Sequence, residues 1–342
     1  MSESWAVKHR PKLLKHFIGN EDVTRDLNIK IKKDTLPNTL SITGPTSSGK
    51  TSLARIIAGK YTEKDDTAAI QEVDGASERG IDNIRAIIST LQYKPLRSKK
   101  KVIIVDEIHK ITLDASTALL KTLEEPPAHV MFIFATNEKH RLLETIKNRA
   151  YKIDLKPMSA EDLFTLLHKV AEKESVFQPQ AKFEKTLKQI AKMFEGRPRD
   201  ALTYLHKLSD KVDPTVEDQT ELLKSLVGIE FSDIPRFLNL VYNGEKAKAF
   251  AILERVTDFS GFSAILLELN TKLLQHSTGL TPQWSWGYNK VFLKGLPPVN
   301  PVLVNKYQKR LIDFRRDLVQ SYSVDPQAIA FHHCVELTGI ED

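Results

Sequence analysis

The sequence predicts an α/β domain followed by helices alone. Five short, β-prone runs alternate with helical stretches, at Leu40–Thr43, Ile70–Asp74, Val102–Val105, Met131–Ala135 and Lys152–Leu155. The third and fourth runs are apolar at every position, which is typical of strands covered on both faces. After Pro157 the strand pattern disappears and helical periodicity takes over. We therefore expect a parallel five-stranded sheet with helices on both faces, then an all-helical part.

The helical part divides into two predicted domains. Ser159–Asp162 resembles a capping box and should start the first helix. Helices are expected at Leu163–Ala171, Phe183–Phe194 and Arg199–Leu205. The polar stretch Ser209–Gln219 is typical of a linker, and a long loop around Trp284 and Trp286 should precede a final pair of helices. The predicted domains are residues 1–156, 157–208 and 209–342.

Composition narrows the class of protein. The 342 residues carry 50 Lys plus Arg against 44 Asp plus Glu, a net charge of +6, and 41% are hydrophobic. This apolar fraction can build cores, yet no apolar run approaches the roughly 20 residues of a membrane span. The single cysteine, Cys334, excludes a disulfide framework and a zinc site of several thiolates. We expect a soluble protein of the cytoplasm (the host cytoplasm if viral) with no membrane partner.

Residues 44–51 form a candidate phosphate loop. Their sequence, GPTSSGKT, matches G-x-x-x-x-G-K-[ST], with an apolar run before it and a helical stretch after it. Backbone N–H groups and the helix start would surround phosphate oxygens. Lys50 would reach the β- and γ-phosphates, and the Thr51 hydroxyl would hold Mg²⁺. The predicted nucleotide-binding residues here are Gly44, Thr46, Ser47, Ser48, Gly49, Lys50, Thr51 and Ser52.

Two acidic residues follow the third run. Asp106 and Glu107 should lie at the carboxyl edge of the sheet, where ligands of open α/β sheets bind. Asp106 is suited to hold Mg²⁺, and Glu107 to orient and deprotonate an attacking water. The alternative interpretation is a pair of solvated acids at a strand end.

Three further polar residues are candidates with structural alternatives. Asn137 ends the next strand, where its side-chain amide would hold the attacking water. The alternative interpretation is an ordinary residue that begins a turn. Arg149 precedes the last strand, where it is a solvated charge unless it reaches a nucleotide on a neighbouring subunit. Arg199 opens a helix in the second domain, and its alternative is a helix-start residue paired with Asp200.

Taken in order, these segments resemble the clamp-loader ATPases of the AAA+ superfamily. The motifs are GPTSSGKT, DEIH, FATNE, NRA and GRPRDAL. EVDGASERGIDNIR and STALLKTLEEPPAHVMFIFATNE resemble segments of bacterial gamma/tau subunits and replication factor C small subunits. The N-terminal WAVKHRPKLLKHFIGNEDV resembles the family's adenine-contacting segment. The likeness covers residues 5–205, and the last third matches only in being helical, as the family's oligomerising collar is.

The resemblance implies roles at the nucleotide site. Lys50 and Thr51 bind the phosphates of ATP and Mg²⁺, Asp106 holds the metal and Glu107 is the catalytic base. The N-terminal segment adds Arg10, Pro11 and Val23 to the nucleotide-binding residues.

The same resemblance assigns three residues that sense or complete the site. Asn137 aligns with the first sensor and Arg199 with the second sensor, which reports the γ-phosphate to the helical lid. Arg149 aligns with an arginine finger that acts on the ATP of the adjacent subunit. Asn148 and Ala150 stand where the family has Ser and Cys on either side of this arginine.

Other departures from the family concern the N-terminal part of the chain. His9 replaces Tyr or Trp, and Asn20 replaces Gln. Bacterial gamma/tau subunits carry a four-cysteine zinc module between the first two strands, whereas Lys60–Ala69 is short and has no cysteine. A compact loader subunit of phage or archaeal style fits better.

The resemblance also implies DNA contacts at helix starts. The matching positions are Arg79, Arg85, Lys110 and Thr112. Contacts of this kind bind backbone phosphates, so binding should be independent of sequence and sensitive to salt. The basic run Arg97–Lys101 is a solvated loop or a further contact, and the aromatic loop Trp284–Tyr288 packs the collar or stacks on bases.

The function implied is that of an ATPase subunit that opens a sliding clamp and loads it on primer–template DNA. Its implied partners are the clamp, the DNA, further copies of the chain and a distinct loader subunit in a pentameric spiral. One alternative is another AAA+ DNA-remodelling ATPase, for branch migration or fork maintenance, against which ERGID and TLEEPP argue. The other is a paralogue that supports the assembly without hydrolysis, against which intact Lys50, Glu107 and Arg199 argue.

Overall fold

The computed structural model describes residues 3–77, 80–142, 144–176, 180–210, 227–230, 232–278, 301–320 and 325–339. The chain forms two compact units. The α/β unit comprises Val7–Asp162, and the helical unit comprises Leu163–Asp342 together with Met1–Ala6. Arg79, most of the predicted linker and the loop around Trp284 and Trp286 lie outside the described residues.

The α/β unit is built on one parallel sheet. Its strands are β1 (Thr39–Thr43), β2 (Ile70–Asp74), β3 (Lys101–Asp106), β4 (Val130–Thr136) and β5 (Tyr151–Asp154). The strand order is β2-β3-β4-β1-β5, and every pair is parallel. The predicted five-stranded parallel sheet is confirmed. Leu155, predicted inside the last strand, instead follows it, and its N–H donates to the Thr43 carbonyl at 2.7 Å.

Helices cover both faces of this sheet. The helices that begin before residue 160 are α1 (Trp5–Lys8), α2 (Glu21–Lys32), α3 (Lys50–Ala58), α4 (Ile81–Thr90), α5 (Leu113–Glu124) and α6 (Glu144–Arg149). Successive residues of β3 alternate between two hydrophobic clusters. Ile104 packs with Leu53 of α3, whereas Ile103 packs with Ile84 of α4 and Leu119 of α5. The sheet is therefore apolar on both faces, as predicted.

The helical unit contains the remaining described helices. They are α7 (Ala160–Lys173, which begins in the α/β unit), α8 (Gln180–Met193), α9 (Pro198–Ser209), α10 (Asp233–Tyr242), α11 (Lys246–Leu253), α12 (Phe259–Ser277), α13 (Pro301–Gln320) and α14 (Pro326–Thr338). The Ser159 hydroxyl accepts a hydrogen bond from the Asp162 amide at 3.1 Å, so the predicted cap of α7 is confirmed. None of the described helices is long and apolar enough to cross a membrane.

The predicted linker was placed to begin at Ser209, which is at least one residue too early. Ser209 ends α9, because buried Leu205 and Leu208 continue the apolar face of that helix. At its other end α9 begins with Pro198, whose missing N–H costs nothing at the first helical position.

Charged side chains join the helices that precede and follow the linker. Arg197, just before α9, donates to Asp258 at 2.7 Å, and Arg315 of α13 lies 3.4 Å from Glu195. Burial lowers the pKa of the Arg315 guanidinium, and the Glu195 carboxylate opposes that effect. Within this unit, the division into the domains 157–208 and 209–342 stays a prediction.

Candidate active site

The loop between β1 and α3 has a backbone that requires two of its glycines. A Cβ atom on Gly44 would lie 2.7 Å from the Leu155 carbonyl oxygen. Gly49 has a φ of +94°, and a Cβ there would lie 2.9 Å from the ring of Phe17. Both positions therefore exclude larger residues. The hydrogen-bond series of α3 begins at the Leu53 amide, which donates to the Gly49 carbonyl at 2.8 Å. The amides that precede Leu53 in α3 therefore have no acceptor within the helix.

Lys50 lies on this loop with only 7% of its surface exposed. Its ammonium donates to the carbonyl oxygens of Gly44 at 3.1 Å and Pro45 at 2.8 Å. A buried ammonium needs such partners, since desolvation of a charge is costly. The oxygens of a phosphate group share a net negative charge and are stronger acceptors than either carbonyl. The geometry thus provides a cation that can bind an anionic ligand at the loop.

Thr51 and Asp106 are brought together from α3 and β3. The Thr51 hydroxyl donates to Asp106 Oδ2 at 2.5 Å, and Asp106 Oδ1 accepts from the Glu107 amide at 3.0 Å. Hydroxyl and carboxylate oxygens are the ligands that Mg²⁺ takes beside nucleotide phosphates. The two residues predicted to hold the metal therefore form a donor set that fits it.

Glu107 follows Asp106 in a left-handed backbone conformation, with a φ of +49°. This conformation is uncommon for a residue with a side chain and is found at functional sites. Its Oε2 atom lies 3.4 Å from His109 Nε2 and 3.7 Å from Lys110 Nζ. The side chain is 27% exposed as a whole, whereas Oε2 itself is buried and, among the described residues, accepts no hydrogen bond.

Asn137 follows β4, the neighbour of both β3 and β1 in the sheet. Its Oδ1 atom is buried and, among the described residues, accepts no hydrogen bond. A buried acceptor without a donor costs free energy that a ligand donor would recover. The carboxyl ends of three adjacent strands thus carry the phosphate loop, the acidic pair and this amide.

Two residues of this edge had no role in the sequence prediction. His109 has 1% of its side chain exposed, and its Nδ1 lies 2.8 Å from the Thr136 hydroxyl. Glu138 Oε1 lies 3.0 Å from His109 Nε2. Burial lowers the pKa of His109, and the carboxylates of Glu107 and Glu138 oppose that effect. His109 belongs to the DEIH motif and Glu138 to the FATNE motif. The two residues are 29 positions apart, so the sequence alone does not indicate that their side chains are in contact.

The N-terminal segment lies beside the phosphate loop. Phe17, also missed from the sequence, packs on Gly49, and half-buried Val23 packs on the same cluster as Phe17. Asn20 donates to the Lys156 carbonyl at 3.2 Å and accepts from the Lys156 amide at 2.7 Å. These two bonds fix the segment to the end of the sheet. Arg10 and Pro11 are half-buried before it, and their contact with a nucleotide stays a prediction.

Comparison with known proteins finds relatives among the subunits of DNA polymerase III. The family model described as DNA polymerase III, delta subunit matches residues 62–159. The DNA polymerase III subunit gamma/tau of Mycoplasma genitalium is 31% identical over an alignment of 274 residues. The match covers 74% of this chain and 45% of that protein. The gamma subunit of Buchnera aphidicola subsp. Acyrthosiphon pisum is 28% identical over 309 residues, 84% of this chain and 83% of that protein. The chain is thus similar to gamma and gamma/tau subunits of DNA polymerase III over 74–84% of its length.

The chain spans about half the length of the gamma/tau relatives that it matches first. Among solved structures, the RuvB Holliday junction branch migration motor of Thermotoga maritima aligns with a TM-score of 0.53 at 21% identity. That alignment covers 68% of this chain and 80% of RuvB. At such low identity the likeness shows a shared fold alone.

The two arginines with predicted catalytic roles lie at the ends of helices. Arg149 is the last residue of α6, is 43% exposed, and lies 3.5 Å from Glu124. It is accessible to a neighbouring molecule, as an arginine finger must be. Arg199 is the second residue of α9 in the helical unit. Its role as a sensor stays a prediction.

The described candidates for DNA contact lie on the surface. Arg85 is exposed on α4, and Lys110 is about half exposed at the turn after β3. Thr112 caps α5, since its hydroxyl accepts from the Ala115 amide at 3.3 Å. This cap accounts for Thr112 structurally, and DNA binding by the three residues stays a prediction.

Proposed function

We propose that this chain is an ATP-hydrolysing subunit of a sliding-clamp loader. The observation that carries the proposal is the contact between Thr51 and Asp106 beside the phosphate loop. This contact joins the two predicted metal ligands at the position where the nucleotide phosphates would bind. Similarity to the gamma and gamma/tau subunits of DNA polymerase III supports the choice of clamp and DNA as partners.

Binding of ATP would use the phosphate loop and Lys50. The ammonium would exchange the Gly44 and Pro45 carbonyls for β- and γ-phosphate oxygens, while the amides at the start of α3 surround the phosphates. Thr51 and Asp106 would hold Mg²⁺, which neutralises charge on the phosphates and the leaving oxygen when bound.

Hydrolysis would use Glu107 and Asn137. The Glu107 carboxylate accepts a proton from a water molecule whose oxygen forms a bond to the γ-phosphorus. The bond from that phosphorus to the bridging oxygen breaks, which leaves ADP and phosphate. The buried Oδ1 of Asn137 accepts the other proton of the water as a hydrogen bond and so orients it. Arg149 of an adjacent copy would stabilise the negative charge of the transition state.

The proposed assembly acts in the cytoplasm on replicating DNA. Further copies of the chain and a distinct loader subunit would form a pentameric spiral that opens the clamp. Backbone contacts would hold primer–template DNA without regard to its sequence. Arg199 would report the γ-phosphate to the helical lid.

The test is the ATPase rate of the purified native complex with its clamp and with primer–template DNA. We expect each to stimulate hydrolysis, and blunt duplex DNA to stimulate it less. Stimulation by four-way junction DNA without retention of the clamp would instead indicate a branch-migration ATPase. ATP binding without turnover would indicate a structural paralogue.

Lys50→Met is expected to weaken ATP binding about 10- to 100-fold, because it removes a charged hydrogen-bond donor worth roughly 1.5–3 kcal/mol. Titration of the purified complex with a fluorescent ATP analogue measures this change. Lys60→Met, at an exposed lysine ten positions away, is the control. An unchanged dissociation constant for Lys50→Met would contradict the assignment.

Arg85→Ala is expected to weaken primer–template binding equally for all sequences and to reduce the salt slope of the binding constant by about 1. The reason is that a phosphate contact releases about one counterion. Fluorescence anisotropy at several salt concentrations measures the slope. Lys32→Ala, an exposed lysine on α2, should leave it unchanged. Equal slopes for Arg85→Ala and the native chain would exclude Arg85 from the DNA contact.

A further inference from the structure

His109 connects two loops that carry proposed catalytic groups. It lies on the short turn Ile108–Lys110 after β3 and is almost fully buried. Its ring is within 3.4 Å of Glu107 Oε2, 3.0 Å of Glu138 Oε1 and 2.8 Å of Thr136 Oγ1. Thr136 and Glu138 are the two neighbours of Asn137. One imidazole therefore contacts the proposed base and both sides of the residue proposed to orient the water.

The surroundings of the ring determine where its proton lies. Burial lowers the pKa of His109 and so favours the neutral ring, which has a single N–H. The Thr136 oxygen already accepts from the Glu138 amide at 3.0 Å, and its own proton can be donated to His109 Nδ1. A lone pair at Nε2 would face two carboxylates and be repelled by them. The proton is therefore assigned to Nε2.

The Nε2 contacts are electrostatic in character. Neither the Glu107 nor the Glu138 oxygen is aligned with Nε2 as in a hydrogen bond, although both are close. An N–H dipole between two negative charges attracts both and offsets their mutual repulsion. Glu138 is also held by Arg141, whose Nη1 lies 3.0 Å from Glu138 Oε2. The position of Glu107 relative to the loop after β4 therefore depends on the Nε2 proton.

We propose that His109 is a positioning residue that holds the Glu107 carboxylate in place relative to Asn137. This proposal rests on the proposed ATPase function, because it concerns the geometry of the attacking water. Loss of the Nε2 proton donor would let the two carboxylates separate and move Glu107 away from the water. The effect falls on the chemical step, since the described contacts of the ring do not include Lys50, Thr51 or Asp106.

Two substitutions separate this role from a purely structural one. In His109→Gln the side-chain amide nitrogen can lie near the position of Nε2, whereas in His109→Asn it reaches only the position of Nδ1. We expect His109→Asn to lower kcat about 10- to 100-fold, as loss of a supporting contact at a catalytic group does. His109→Gln should retain kcat within about threefold of the native value. The dissociation constant for ATP should be unchanged in both.

Equal kcat values for the two variants would overturn the proposal, as would a loss of ATP affinity that accounts for the lower turnover. Thermal unfolding of both variants identifies misfolding, and a kcat difference between variants of equal Tm supports the proposal.

A second measurement does not depend on ATPase activity. In the native complex labelled with ¹⁵N-histidine, the ring shifts of His109, assigned by their loss in His109→Gln, report which nitrogen carries the proton. A proton on Nε2 is expected, and a proton on Nδ1 would overturn the proposal. If the native complex hydrolyses no ATP, the proposed function is wrong. The ¹⁵N shifts would still show which ring nitrogen of His109 carries the proton, so the failure of the proposed function and the failure of this proposal can be distinguished.

Discussion

Arg149→Ala is expected to lower the ATP turnover of the assembled complex about 10³- to 10⁵-fold, the range found for arginine fingers. The guanidinium would donate to γ-phosphate oxygens on which negative charge is spread in the transition state. Arg149 lies at the exposed end of α6, away from the buried cores, so its removal should leave the fold and ATP binding intact. Lys147→Ala removes another cation of the same helix, one that is 25% exposed and lies 2.7 Å from Glu144, and it is the control.

A mixing experiment tests whether Arg149 acts on a neighbouring subunit. Arg149→Ala retains its own phosphate loop, and Lys50→Met retains its arginine. If the finger acts between copies, complexes assembled from both variants should recover part of the activity that each variant lacks alone. No recovery, together with a loss of ATP binding in Arg149→Ala, would place Arg149 within its own nucleotide site instead.

Glu107→Gln is expected to lower kcat about 10²- to 10⁴-fold, which is the usual contribution of a general base. The amide has the same shape as the carboxylate but does not accept the proton of the attacking water. ATP affinity should be preserved, because Lys50 and the metal-binding pair Thr51 and Asp106 are unchanged.

Single-turnover hydrolysis with pre-bound ATP measures the chemical step of Glu107→Gln directly. Glu125→Gln makes the same change of charge at an exposed position and should be silent. A kcat for Glu107→Gln within a few-fold of the native value would exclude Glu107 as the base and would remove the basis for the role of His109.

The fold was largely predictable because its sheet is apolar on both faces. Continuous apolar runs located β3 and β4 within one residue at each end. Glycine spacing and the following lysine located the phosphate loop, whose conformation is fixed by local sterics at Gly44 and Gly49. Helix ends were less accurate, as at Ser209, because tertiary burial of Leu208 extends α9 through a polar sequence.

The contacts of His109 and Phe17 could not be predicted from local patterns. His109 meets Glu138 because β3 and β4 pair side by side, which is a property of the sheet and not of either motif. Phe17 meets Gly49 across a separation of 32 positions. The roles proposed for Arg149 and Arg199 would depend on a second molecule and on a ligand bound to the protein, so no local pattern in the sequence could test them.

The strand order has a consequence for synthesis of the chain. β1 is made first, yet its two partners in the sheet are β4 and β5, the last two strands. During translation the phosphate loop therefore leaves the ribosome well before the strands that flank it, and non-local pairing of this kind is slow. We expect chains truncated before Val130 to contain the GPTSSGKT sequence but to leave it open to limited proteolysis. The nucleotide site would thus form only when the α/β unit is nearly complete, so a partly synthesised subunit would not bind ATP.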